Sequence, residues 1–294
     1  MKTSKLLSEI IRGEWLINPH ELEGYAPLVH SLFTGGNLAL PTGKETKPQI
    51  KMMDVEGNEF SENTTSSAGE SDAQKIAVIS MIGPVIKYGD YCTYGADEIV
   101  GMLDRANNDD TVKGIVFYID GPGGSVSAIN PFIEFAARKN KPVVVLSDMA
   151  ASLHYWAACT VADHIMGENI VSGRFGSVGV VSSFVDARQH WEEKGYKFHE
   201  IYPKESSEKN KVFNLALEGK YDRIRDEHLS PIAQKFQAAV KTARPNLKDT
   251  PGVLSGDTFT TEEALELGMI DSIGSFPAAI NMVNVLCEVS SINN

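Results

Sequence analysis

The sequence predicts an α/β fold in which a parallel sheet carries crossover helices, preceded by a small helical N-terminal extension. Three observations lead there. From Lys75 onward, short β-branched runs alternate with stretches of helical periodicity, the order that builds parallel strands joined by helices. Two of these runs end abruptly in small residues, Asp120-Gly-Pro-Gly-Gly-Ser-Val126 and Asp148-Met-Ala-Ala-Ser-Leu-His-Tyr-Trp156, so two buried strands finish in tight turns. At 294 residues and 42% hydrophobic content, the chain has enough apolar surface for a substantial core.

Residues 1–40 show helical spacing, Leu6, Ile10 and Ile11 and then Leu22, Leu28 and Leu32, and make up the N-terminal extension. Residues 41–74 turn polar, most plainly in Ser61-Glu-Asn-Thr-Thr-Ser-Ser-Ala-Gly-Glu-Ser-Asp72, and read as a linker. Residues 75–294 form the main domain. Its predicted order is strand 76–82, helix 96–106, strand 112–119, helix 126–137, strand 143–147 and helix 152–161. A short strand at 162–166 and a glycine-spaced turn at 173–180 follow. Helix 185–194 ends at Gly195, a C-cap signal. A strand at 199–202 leads into a polar loop, 203–211, and then two amphipathic helices, 221–229 and 231–244. The tail, 256–271, reads as strand, capped helix and glycine stop.

Charge narrows the function. The formal net charge is −12 and no lysine or arginine cluster recurs along a face, which argues against nucleic acid and against an anionic membrane surface as partners. Glu9 and Arg12 interrupt the apolar residues of Met1-Lys-Thr-Ser-Lys-Leu-Leu-Ser-Glu-Ile-Ile-Arg12 well short of a signal-peptide core. No stretch approaches the roughly 20 apolar residues that span a bilayer. A soluble, cytoplasmic protein is expected. The three cysteines, Cys92, Cys159 and Cys287, are odd in number and lack paired spacing, which fits a reducing compartment. Cys159 reads as a small core residue.

The two strand ends carry the chemistry. A glycine pair after a strand can turn backbone N–H groups into a cleft, because glycine reaches conformations closed to other residues and has no side chain to block approach. Gly123 and Gly124 are therefore candidate oxyanion donors. Ser152, at the start of a helical run after the second strand, sits where free amides favour developing negative charge, and is the candidate nucleophile. A serine hydroxyl needs a base. His154 is two residues away on a different helical face and cannot easily reach it, and His20, His30, His164, His190, His199 and His228 lack any supporting motif. A lysine can serve if dry surroundings depress its pKa from about 10.4 by some 3 units, about 4 kcal/mol of disfavoured charging. Lys204, Lys209 and Lys211 lie together in the 203–211 loop, which by spacing alone reads as a solvated connection. Asp120 and Asp148 read as strand-end residues accepting backbone hydrogen bonds.

These segments, with Ala162-Asp163, Gly176-Ser-Val-Gly-Val180 and Leu267-Gly-Met-Ile-Asp271, resemble the signal peptide peptidase A (SppA-like) serine peptidase family, most closely its short phage-type capsid-maturation and scaffold proteases. The likeness runs in consistent order from about Lys75 to Gly274. It implies a ClpP/crotonase-like fold and a Ser-Lys dyad, with Ser152 matching the nucleophile and Gly123 and Gly124 the oxyanion loop. A gap-free count from Gly195 puts Ser207 at the family's base position; a two-residue insertion brings Lys209 there, with Lys204 and Lys211 as rivals. Leu153 and His154 stand where relatives usually carry glycine or alanine. The resemblance further implies a peptide or protein substrate, capsid or scaffold protein among them, a ring- or dome-shaped homo-oligomer, and a bacterial host with a prophage source.

Other readings are weaker. The caseinolytic Clp subunit completes a triad with a histidine downstream, where this chain has Gly173 to Gly179 with Ser177; Ser177 is a candidate to hydrogen-bond the lysine, or simply a turn residue. A crotonase-like acyl-thioester enzyme would need a basic nucleotide pocket that is not visible. A non-catalytic assembly protein on the same fold stays open through Ser207. No Walker pair, full dinucleotide fingerprint or metal-ligand spacing occurs, so no cofactor and no metal are expected.

Overall fold

The computed structural model describes residues 14–17, 50–59, 74–89, 94–184 and 186–292. In chain order the elements are β1 (Glu14–Ile17), β2 (Lys51–Met53), β3 (Lys75–Ile82), α1 (Ala96–Asn108), β4 (Val112–Gly121), β5 (Gly123–Ser125), a 3-10 turn (Val126–Ala128) leading into α2 (Ile129–Ala136), β6 (Val143–Ala151), α3 (Leu153–Val161), β7 (His164–Gly167), β8 (Arg174–Gly176) and β9 (Val181–Ser182). Then come α4 (Arg188–Glu193), a 3-10 turn (Lys204–Ser206), α5 (Lys211–Leu217), a π-helical turn (Ile224–Leu229) continuous with α6 (Ser230–Ala243), β10 (Thr258–Thr260), α7 (Thr261–Glu266), β11 (Ser272–Ile273) and α8 (Phe276–Ile292).

The main sheet runs β10-β8-β6-β4-β3-β2, with β7 on β6 and β11 on β7. Strands β3, β4 and β6 pair in parallel, and β6 divides its far edge between β7 (Val144 to Ser147) and β8 (Met149 to Ala151). The alternation of strand side chains sorts residues onto two faces. Ala77, Ile79 and Met81 with Ile115, Phe117 and Ile119 pack under α1, α2, α3 and α6, while Ile76, Val78, Val116, Val144 and Leu146 pack under Ala279, Ile280 and Val283 of α8. Both faces are covered, as parallel sheets require, which explains the nearly continuous apolar runs of β3, β4 and β6.

Several expectations need correction. Within residues 1–40, read as helical, the described piece is the strand β1; the leucine-spaced segments on either side lie outside the described residues, as does Ser61 to Asp72. The sheet also starts earlier than Lys75, because β2, inside the expected linker, pairs antiparallel with β3 and closes through a turn in which the Asp54 carboxylate accepts from the amides of Glu56 and Asn58. Residues 199–202 form no strand: among the described residues no strand pairs with them. The two helices expected at 221–244 are one continuous rod. Pro231, which lacks an N–H, sits at its middle, and the wider π-turn just before it accommodates the missing bond. Helices α5 and α8 were not anticipated. The tail behaves as expected, with Thr260 and Glu263 forming a reciprocal capping box and Gly268 at φ 76° ending α7.

Candidate active site

The carboxyl ends of β4 and β6, neighbours in the sheet, deliver the two turns to one place, where parallel α/β sheets characteristically form their sites. Ser152 follows β6 directly and N-caps α3 with φ 55° and ψ −117°, a region that a non-glycine residue occupies only when its surroundings enforce it. Those surroundings are visible. The Ser152 amide donates to the Gly176 carbonyl at 2.8 Å, where β6 meets β8, and its carbonyl accepts from Trp156. Helix α3 is anchored by the Tyr155 hydroxyl on the Met269 carbonyl (2.8 Å) and by Trp156 stacked on Phe236 of α6 at 4.6 Å between ring centroids. Ser152 is only 2% exposed.

Strand β5 lies against the start of α3. Val85 clamps it on one side, donating to the Gly123 carbonyl (3.1 Å) and accepting from the Ser125 amide (2.9 Å). Gly123 has φ 127°, open to glycine alone. A Cβ on Gly124 would overlap the Val85 carbonyl oxygen and stand 2.8 Å from Leu153 Cδ2, so the glycine is dictated by close approach on both sides. Leu153 is the first residue of α3, and its amide has no intrahelical acceptor. Sequence reading passed over this donor, which the rule for helix N-termini could have supplied.

Ser177 lies one residue beyond the Gly176 carbonyl that holds Ser152; it has φ 53° and donates its amide to the Asp257 carbonyl at 2.7 Å. His154 is fully buried, its ring wedged against Gly121 and close to the Gly83 backbone, with no well-formed hydrogen bond to either ring nitrogen among the described residues. Burial pushes its pKa down to about 3, so it stays neutral at ordinary pH. Asp148 accepts from the Asn169 and Ser172 side chains rather than from backbone. Burial raises Asp120, and the nearby charges of Asp148 and Glu168 add to the rise, while the Met149 amide opposes it.

The lysines are not brought to Ser152. Lys204, Lys209 and Lys211 are all exposed, and among the described residues no hydrogen bond joins any of them to the serine. Lys211 is tied to Glu208 at 2.6 Å, and Glu208 also receives Arg223. Lys209 has no ion-pair partner among the described residues; its amide closes a turn onto the Ser206 carbonyl. Ser207 is likewise exposed on that turn. Among the described residues no cluster of histidine, cysteine and carboxylate side chains could hold a metal, and no helix is long and apolar enough to cross a membrane.

Comparison with known proteins gives a consistent picture. The profile of peptidase family S49 matches residues 135–290. Protease 4 of Haemophilus influenzae is 28% identical over 228 residues, covering 72% of this chain. The head-tail preconnector protein GP5 of Enterobacteria phage P21 is 27% identical over 200 residues, 64% of this chain. This chain spans 35% of the first relative's length and 38% of the second's. A solved structure of the 1510-N membrane-bound stomatin-specific protease with a substrate peptide overlaps 68% of this chain and 74% of that one, with a TM-score of 0.43 at 15% identity.

Proposed function

The chain belongs to peptidase family S49, and from that premise we propose that it is a serine endopeptidase in which Ser152 is the nucleophile and Lys209 the general base. The observation that carries the reading is the strained Ser152 at the head of α3, flanked by a glycine strand whose side-chain positions are sterically closed. The uncharged Lys209 amine takes the Ser152 proton as Oγ attacks a peptide carbonyl. Amides of Gly123, Gly124 and Leu153 hold the oxyanion; the ammonium then protonates the leaving amine, and water releases the acyl group by the reverse sequence. Ser177 hydrogen-bonds the lysine.

A lysine works as a base only in dry surroundings. The loop that carries Lys209 is exposed in the single chain, and it lies in a segment studded with exposed apolar side chains, Phe184, Phe198, Ile201 and Phe213 among them, with Ile201 93% exposed. A second copy covering this face would dry the loop and complete the site, which supports a homo-oligomer. The head-tail preconnector relative supports a link to phage particles, and the role proposed is head maturation inside the bacterial host, with scaffold or capsid protein as substrate.

Alanine substitution of Lys204, Lys209 and Lys211 in turn tests the assignment of the base. Only Lys209→Ala should abolish peptide hydrolysis, and the loss should persist while the oligomer stays intact by light scattering. Equal, mild losses at all three positions would remove lysine from the mechanism.

A further inference from the structure

A second, three-stranded sheet, β5-β1-β9, sits over the site. Its middle strand is the chain's own Glu14–Ile17, antiparallel to both neighbours: Trp15, Leu16 and Ile17 face Ser125, Gly124 and Gly123, and Glu14 and Trp15 face Ser182 and Val181. Both flanking strands belong to the serine's own framework. Strand β5 carries the glycines packed on the head of α3, and β9 closely follows Gly176 and Ser177, the former holding the Ser152 amide. The lane between β5 and β9 therefore passes Ser152, and the main-chain edges that pair with β1 would pair in the same way with any other extended segment that took its place. Peptide recognition by strand addition uses such a lane.

We infer that β1 is an internal occupant of the substrate lane, a pseudosubstrate strand that must leave before a peptide in extended conformation can bind. The inference rests on the proposal that Ser152 attacks peptides. Energetics make the exchange feasible: β1 has four residues, β5 three and β9 two, and sheets this small are marginal on their own. An entering peptide can replace the same main-chain bonds one for one, so release costs little once substrate is present. While β1 is in place, apparent affinity for substrate falls by the fraction of molecules with an empty lane.

The test uses the full chain. Proline at position 16 cannot donate to a neighbouring strand and fits badly in the middle of a sheet. Leu16→Pro should raise kcat/KM for an unstructured peptide at least tenfold, mainly through KM, whereas Leu16→Ala, which keeps the backbone donor, should stay near wild type. A synthetic peptide of residues 11–20 should then inhibit Leu16→Pro competitively. Equal peptide kinetics in wild type and Leu16→Pro, with both labelled at Ser152 by a fluorophosphonate, would overturn the pseudosubstrate strand alone. Absence of Ser152 labelling in both would overturn the peptidase reading and the strand's purpose with it. Amide hydrogen exchange gives a readout independent of the variant. On adding a peptide boronate that bonds Ser152, residues 14–17 should lose protection while 123–125 keep it; unchanged protection at 14–17 contradicts the exchange.

Discussion

Replacing Gly124 with alanine should cripple the site far more than it destabilises the fold. The added Cβ would overlap the Val85 carbonyl oxygen and stand 2.8 Å from both the Val85 carbonyl carbon and Leu153 Cδ2, inside the 3.0 Å that real Cβ atoms essentially never cross. The Leu153 side chain can rotate away; the Val85 backbone cannot. Strand β5 must therefore retreat from Val85, stretching the two hydrogen bonds of 2.9 and 3.1 Å that fix it. At about 1 kcal/mol net per bond the fold loses about 2 kcal/mol, which a stable domain survives. The proposed oxyanion donors move with the strand, and loss of one such donor typically lowers kcat by about 10²- to 10³-fold. Gly101→Ala is the control: that glycine lies within α1 with nothing near the would-be Cβ, so alanine should leave activity unchanged and add about 0.5–1 kcal/mol of stability. Peptide hydrolysis and thermal unfolding of both variants separate the two effects. Wild-type kcat in Gly124→Ala would show that β5 does not set the donors, and the reasoning from its closed geometry would fail.

Backbone strain at Ser152 gives a second outcome. Glycine relieves a φ of 55° that costs about 1–3 kcal/mol, less the greater unfolded-state freedom of glycine, so Ser152→Gly should be more stable than Ser152→Ala by about 1 kcal/mol in denaturant melts, while both should be inactive. A reversed order would mean the conformation is unstrained. His154 supplies a third. Its folded-state pKa is depressed from 6.5 to about 3, so the stability linked to it is fully present above pH 6.5 and is lost as pH falls toward 3, at up to about 1.4 kcal/mol per pH unit. His154→Leu should flatten that part of the pH-stability curve; an unchanged slope would assign the acid sensitivity to carboxylates instead. A fourth concerns Arg244, which forks onto Asp271 at 2.6 and 2.8 Å while Asp271 also accepts the Ile165 amide. Arg244→Met leaves that half-buried carboxylate unpaired and should cost about 2–3 kcal/mol, measurable by urea unfolding, with the fluorophosphonate labelling rate unchanged below the melting range.

The strained turn at Ser152 and the glycine strand were legible because their requirements are local. A strand followed by Gly123-Gly124, or by Ala151-Ser152 and an apolar helix, leaves few backbone solutions, and the sequence states them directly. The parallel sheet followed for the same reason from β-branched runs spaced by helices. What was not legible depends on partners distant in sequence. Glu14 to Ile17 sits amid helical periodicity yet forms a strand, because β5 and β9, over a hundred residues away, supply its hydrogen bonds. Residues 199–202 have strand-like composition but find no partner strand among the described residues. The expected base is obscure on similar grounds: three lysines share one exposed loop, and nothing local to the loop distinguishes them. Leu153 escaped notice because what it presents is a backbone amide, which no side-chain motif announces.

The central claim is that Ser152 is an activated nucleophile, and covalent labelling tests it most directly. The full chain is treated with a fluorophosphonate across pH and digested for mass spectrometry. A single adduct is expected on the peptide containing Ser152, absent from Ser152→Ala and greatly slowed in Lys209→Ala. An adduct on another serine, or equal labelling of wild type and Ser152→Ala, would contradict the account.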